Sequence, residues 1–458
     1  MTGTVQPQGF PDTETVAGAY ADADFNRAVQ AYRFFFPSVS GLAIFKGNAA
    51  VGLVPNAVFG LLETRPEHVG LTLNSDTPYG AVMLDLHDGP IVIELPPGPL
   101  ICIAMDLHQR WVLDMGLPGP DAGNGGRHLI LPPGYDGEIP AGYHVGRSST
   151  YRVITGIRSL PVGGDVRAAV KRITTVKVRP LHRRPDWEEP QWLDLTDKPQ
   201  DTSPGRWEDN VGYWQALHEV INTEPPLDRY RAAYGELAAL GIVKGKPLAL
   251  DAQRTDLLER AARAGNGQLR VQSLADRRPD RLVWPGRRWE WAALRFENGD
   301  FDRADSVDTD AREKWFYQAI GASPAMFRRD TKAGSLYWLG LRDASAAYLD
   351  GGRSYRLTVP LPVPAKLFWS VTVYDARSRS QVQTDQGKAV LSSLFDFKDT
   401  GETGSVDLYF GPVPPAGYSD RWIQTNPCTG WFTYFRIYGP EPAAFDATWQ
   451  LPDFQPAD

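Results

Sequence analysis

Apolar positions recur along this chain with two different periods, and the change of period divides it. From Thr13 to about residue 47, Phe25, Val29, Tyr32 and Phe36 fall at helical spacing. They predict an amphipathic helix broken near Pro37. From about residue 70 the texture becomes strand-like. Ile91-Val92-Ile93 ends at Pro96-Pro97-Gly98, and Leu100 to Met105 follows, so the two runs predict a hairpin with a short proline-containing loop. His128–Leu131 and Tyr151–Ile157 predict further strands, and Pro132-Pro133-Gly134 a turn between them. Residues 180–207 are polar and proline-interrupted, which suits a connector or surface loop.

Helical spacing returns with Val211, Trp214, Leu217 and Ile221, then in two later segments, the last opened by Asp251 as a cap. A small helical subdomain is therefore expected over roughly 205–275. Residues 276–310 show no clear period and stay unassigned, and a short helical texture reappears at Arg312–Ile320. The remainder reads as β. In Phe368–Tyr374, Trp369, Val371 and Val373 point one way and Ser370, Thr372 and Tyr374 the other. In Trp431–Tyr438, Phe432, Tyr434, Arg436 and Tyr438 share one face. Short strands at close intervals favour sandwiches or barrels over a βαβ sheet.

Composition narrows the function classes. At 458 residues with 42% hydrophobic positions, the chain can build two cores. A net charge of −7 argues against nucleic-acid or anionic-membrane partners, which call for a basic surface. Cys102 and Cys428 are too few for a disulfide framework and are expected to be small buried thiols. The first residues show no signal-peptide pattern, and no apolar run reaches the roughly 18 residues of a membrane span. A soluble, cytoplasmic protein is the expectation.

The chemistry concentrates between Leu73 and Tyr135. Asn74-Ser75-Asp76-Thr77-Pro78-Tyr79 forms a turn whose bland role is an Asx cap; its sharper role makes Asp76 an acid–base group or an arginine partner. Asp106, His108, Arg110 and Asp114 alternate, so an extended segment would project them to one side. They could pair with one another, or Arg110 could hold an anion while a carboxylate moves a proton. Pro118–Gly126 is a Gly-Pro loop without the order of a phosphate cradle. None of the seven histidines forms an HxH or HExxH pair, and no GxSxG elbow or dinucleotide fingerprint appears. No metal and no cofactor is expected. Later polar groups at strand ends, including Tyr374-Asp375 and Gln383–Gln386, suit loop caps or a second site.

These stretches also carry a family resemblance. LNSDTPYG, LDLHDGPIVIELPPG and RWVLDMGLPGPDAGNGG in the first half, with VPAKLFWSVTVYDARSRSQVQTDQ and NPCTGWFTYFRIYGP in the second, resemble the bacterial proteins that pair domain of unknown function 1254 with domain of unknown function 1214. The resemblance covers nearly the whole chain. It implies a mainly β protein with a helical insert: an N-terminal β-sandwich, a helical middle segment and a C-terminal jelly-roll-like sandwich. On that basis the chain divides into a helical segment at 13–52, a β-sandwich at 55–180, a linker and helical subdomain at 181–310, and a second β domain at 311–455. The resemblance further suggests homo-oligomers, and draws attention to Asn74, Asp76, Thr77, Tyr79, Arg110, Trp111, Asp114, Gly119, Pro120, Asp121, Trp369, Tyr374, Asp375 and Gln386. Relatives tend to carry an aromatic at the position of His108, so the histidine departs from the pattern.

Together these readings suggest a hydrolase-like enzyme acting on a small organic molecule by metal-free acid–base chemistry, in a pocket of the N-terminal β domain. Asp76, Arg110 and Asp114 are the catalytic candidates, with Arg110 holding an anionic or carbonyl oxygen. Tyr79 and Trp111 would wall the pocket, and Asn74, Thr77, His108, Asp121, Tyr374 and Asp375 complete the candidate binding set. A non-catalytic small-molecule or carbohydrate binder, or a structural protein, remains the alternative.

Overall fold

In the computed structural model, residues 9–182, 185–294, 300–397 and 403–457 are described. The first element is one continuous helix, Thr13–Ala50, capped by Asp12, whose carboxylate accepts from the Thr15 amide at 2.7 Å. The break expected at Pro37 does not occur, and the helix is not amphipathic beyond Ala28, where nearly every residue is buried. Tertiary packing overrides the proline penalty. Gln109 donates to the Pro37 carbonyl at 2.9 Å, and Gly41 lies so close to Leu107 that a Cβ would sit 2.1 Å from its carbonyl oxygen. Three helices of the middle segment, Gly212–Thr223, Arg231–Ala239 and Ala252–Leu274, pack around it with Tyr32, Tyr213 and Trp214 at the centre.

The molecule is mainly β with this helical insert. In the N-terminal sandwich a six-stranded sheet faces a four-stranded one. The six-stranded order is Gln191–Asp194, Val58–Leu62, Tyr79–Asp85, Arg152–Ser159, Leu100–Asp106 and Trp111–Gly116. Ile91–Leu95 belongs to the other sheet, between Lys177–Pro180 and Gly126–Leu131. The hairpin expected between Ile91–Ile93 and Leu100–Met105 is therefore replaced by a crossover. Pro96-Pro97-Gly98 carries the chain from one layer to the next, because Ile91, Ile93, Leu100 and Cys102 must line the same core from opposite sides. The supposed surface connector at 180–207 also adds a strand, Gln191–Asp194, parallel to Val58–Leu62.

The C-terminal sandwich is jelly-roll-like. Its five-stranded sheet runs Glu290–Trp291, Ser335–Gly340, Trp431–Pro440, Ala365–Asp375 and Val390–Ser392; its second sheet is built around Tyr355–Leu361 and Gly404–Gly411. Much of the unassigned 276–310 stretch joins this domain, with Trp284, Trp289 and Trp291 in its core; residues 295–299 lie outside the described residues. Cys102 is buried as expected, but Cys428 is exposed, in the turn that precedes the Trp431 strand.

The alternation in Phe368–Tyr374 has an unexpected outcome, for both faces are buried. Trp369, Val371 and Val373 enter the domain core. Ser370, Thr372 and Tyr374 turn the other way, with Tyr434, Arg436 and Tyr438 beside them in register. That polar face meets the N-terminal domain: Asp76 and Thr72 hydrogen-bond to it, and Leu160 packs with Phe368 and Tyr438. No helix among the described residues is long and apolar enough to cross a membrane.

Candidate functional site

Between the two sandwiches lies a cavity of about 160 Å³. Its floor is the outward face of the six-stranded sheet. Register places Tyr79, Arg158 and Ile101 in one row across that face, and Gly156, Ile103 and Asp114 in the next. Tyr337, Tyr434 and Arg436 close it from the C-terminal sheet, and Ile320, Ser323 and Met326 from the segment after the Thr309–Gln318 helix. Asp114, Arg158 and Arg436 are the charged side chains among its described lining residues.

Both arginines are held by neutral groups. Arg158 Nε donates to Thr77 Oγ1 at 3.0 Å and its Nη2 to Tyr438 Oη at 2.8 Å, with the Tyr79 and Tyr438 rings each 5.3 Å from the guanidinium carbon. Arg436 Nη1 donates to Thr372 Oγ1 at 2.7 Å, and its Nη2 to Tyr374 Oη at 2.6 Å and to the Thr72 carbonyl at 3.1 Å. Its Nε has no hydrogen-bond partner although the residue is 2% exposed. Asp76 is buried behind this layer. Its Oδ2 accepts from Ser370 at 2.8 Å and Tyr438 at 3.1 Å, while its Oδ1 has no partner. Burial raises its carboxyl above the usual range, and the charges of Arg436 and Arg158 work against that rise.

Asp114 is the one carboxyl among the cavity's described lining residues. Burial pushes its carboxyl up to about 7, against hydrogen bonds from the Ser323 side chain and the Ala325 backbone. A carboxyl poised there exchanges protons near neutral pH.

The structure thus brings together Asn74, Asp76, Thr77, Tyr79, Asp114 and Tyr374. Asn74 makes the Asx turn, accepting the Asp76 amide at 3.2 Å, and also donates to Tyr438 at 3.1 Å. The structure separates the rest. The chain does not stay extended through Asp106–Asp114: Asp106 and Arg110 close a turn, with Gln109 at φ 61°, and the next strand runs back antiparallel. Arg110 consequently faces a different cleft, where Nε and Nη2 hold Asp300 at 3.0 Å each and Arg229 shares the same carboxylate. His108 lies buried beside that cleft, its Nδ1 2.8 Å from Ser38 Oγ, and burial drives the ring down to about 3. Trp111, 43% exposed, lies away from the cavity. Asp121 pins the Gly-Pro loop by accepting from the Gly116 amide and from His128; of that loop only Pro118 reaches the cavity lining. Asp375 caps the turn at Arg377 and Ser378.

Two central residues, Arg158 and Gly156, were not singled out by sequence reasoning. Their signal was available: a glycine and an arginine two apart, on one face of the Arg152–Ser159 strand.

Two family descriptions match the chain: Protein of unknown function (DUF1254) at residues 58–180, and Protein of unknown function (DUF1214) at residues 334–442. No curated protein matches it. Among solved structures it is similar to the VPA0106 protein from Vibrio parahaemolyticus, at 17% identity over 95% of this chain and 100% of that one, with a TM-score of 0.57. An uncharacterized protein from Burkholderia cenocepacia aligns over 97% of each chain at 12% identity and a TM-score of 0.37. The first likeness shows a shared fold. Arg158 falls in the first matched region and Arg436 in the second, so the cavity lies on the seam between them. The chain belongs to the family of proteins that pair domain of unknown function 1254 with domain of unknown function 1214.

Proposed function

We propose that this protein binds a small organic anion between its two β domains, and that Asp114 exchanges a proton with the bound molecule. Charge supports the reading. Two arginines, which stay protonated in proteins, border one cavity, while the nearest carboxylate, Asp76, is buried behind them with its proton affinity raised. Buried cations without matching anions are costly. A carboxylate on the ligand offsets that cost and fits guanidinium geometry, and Arg436 Nε still has a hydrogen bond to give. Asp76 then positions Tyr438 and Ser370 rather than touching the ligand. Only the acid–base part of the hydrolase-like expectation is kept, centred on Asp114.

Binding without turnover is the second reading. One observation favours it: Asp76 does not line the cavity, so the second carboxylate of a paired acid–base mechanism is missing there.

Calorimetric titration with organic acids and their neutral amides at pH 7 tests the proposal. Acids should bind and amides should not; equal affinity for both, or for neither, would overturn it. Asp114→Asn should keep acid binding while abolishing any product seen by NMR. Persisting turnover in that variant removes Asp114 from the chemistry.

A further inference from the structure

Cavity size, sheet register and the placement of polar groups constrain the anion further. An apolar cavity of roughly 150 Å³ holds a benzene-sized molecule, and this one measures about 160 Å³. Its midsection is apolar, with Ile101 and Ile103 on the floor and Ile320 and Met326 opposite. Gly156 sits in the row between Ala81 and Ile103, and a Cβ there would meet only Ile103, at 3.9 Å. The strand gives up a side chain at that point and leaves the volume open, although nothing in the backbone requires glycine.

The polar groups occupy two ends. Arg158 and Asp114 stand two strands apart and one register step of two residues apart. Strand spacing and rise put their Cα atoms roughly 12 Å from each other. Asp114 lines the cavity beside Ser323 and Ala325 and, as a carboxylate, has lone pairs for a donor from the ligand.

Resting on the anion-binding reading above, we propose that the ligand is a ring-sized monocarboxylic acid carrying a hydroxyl at its far end. Its carboxylate lies on Arg158 and Arg436, its ring lies over Gly156, and its hydroxyl donates to Asp114. Hydroxyaryl and hydroxycycloalkyl carboxylates are the class.

The test is a calorimetric comparison of 4-hydroxybenzoate, benzoate, hexanoate and 4-hydroxybenzamide on the unmodified protein. 4-Hydroxybenzoate should bind about tenfold tighter than benzoate, the worth of one hydrogen bond to a charged group, and hexanoate should bind more weakly than either. Gly156→Val, checked for native circular dichroism, should lose at least about tenfold affinity for the two ring acids, because its methyl groups fill the ring's space. Hexanoate binding as tightly as the ring acids, or benzoate matching 4-hydroxybenzoate, overturns this inference and leaves the anion reading standing. Failure of every acid, or tight binding of the benzamide, overturns both.

Discussion

Two arginine clusters in this molecule look alike in composition and differ in meaning. Around Arg110, charges are matched and partly wet: Arg110 and Arg229 share Asp300, with side chains 22%, 32% and 30% exposed. Neighbouring carboxylates, Asp300 and the buried Asp106 at 3.8 Å, already satisfy Arg110, so the cluster ties segments together. Around Arg158 and Arg436, cations outnumber carboxylates, the donors mostly meet neutral hydroxyls and carbonyls, and two polar atoms are left without partners. Imbalance under burial, rather than the presence of arginine, is what supports the proposed binding site over a brace.

The largest expected effect sets the two clusters against each other. Arg436→Met should cost about 3–5 kcal/mol in urea unfolding, because Thr372, Tyr374 and the Thr72 carbonyl lose a charged donor and Asp76 loses a neighbouring positive charge. Arg110→Met should cost about 1 kcal/mol. Adding Asp76→Asn to Arg436→Met should restore part of the loss; equal costs for the two single variants would erase the distinction.

Next comes Asp114. Its native carboxyl is raised to about 7, so the stabilisation it gives is complete below about pH 4 and is lost as pH rises through 7. Asp114→Asn should therefore gain about 3 kcal/mol on the parent between pH 5 and pH 8. Parallel pH profiles for the two proteins would contradict the assignment. His108, near the other cluster, has the opposite sign. Its ring is held down to about 3, so its stabilisation is complete above about pH 7 and fades as pH falls below the unfolded value of about 6.5. His108→Leu should gain about 2 kcal/mol on the parent between pH 7 and pH 5, measured by the same unfolding series. Smallest of all, Trp111→Ala should change stability by no more than about 0.5 kcal/mol and leave acid binding intact; a tenfold loss of affinity would return Trp111 to the site.

Much of the site was legible residue by residue. The Asn74–Tyr79 turn stood out because Asn, Asp and Pro force local geometry, and period-two alternation put Tyr434, Arg436 and Tyr438 on one face. Arg110 misled for a local reason. Its alternation with Asp106 and Asp114 assumed an extended segment, whereas Gln109 adopts a left-handed conformation that reverses the chain. Arg158 escaped notice because it lies one residue past the Tyr151–Ile157 run expected to be a strand, so no face was assigned to it. The Pro37 helix and the Pro96–Gly98 crossover show the same limit from the side of the fold. A proline marks a constraint, but the surrounding packing decides whether it breaks a helix or redirects a strand.

The sequence by itself determined several of the strands, the helical insert, the turn that bears Asp76 and the polar stripe that bears Arg436, since each rests on spacing within a few residues. Only the tertiary structure decided that the stripe lies against the other domain's sheet, that Gly156 leaves a hole there, and that Asp114 rather than Arg110 borders it. Those outcomes depend on which buried charges lack partners, and burial is a property of two faces brought together from distant parts of the chain.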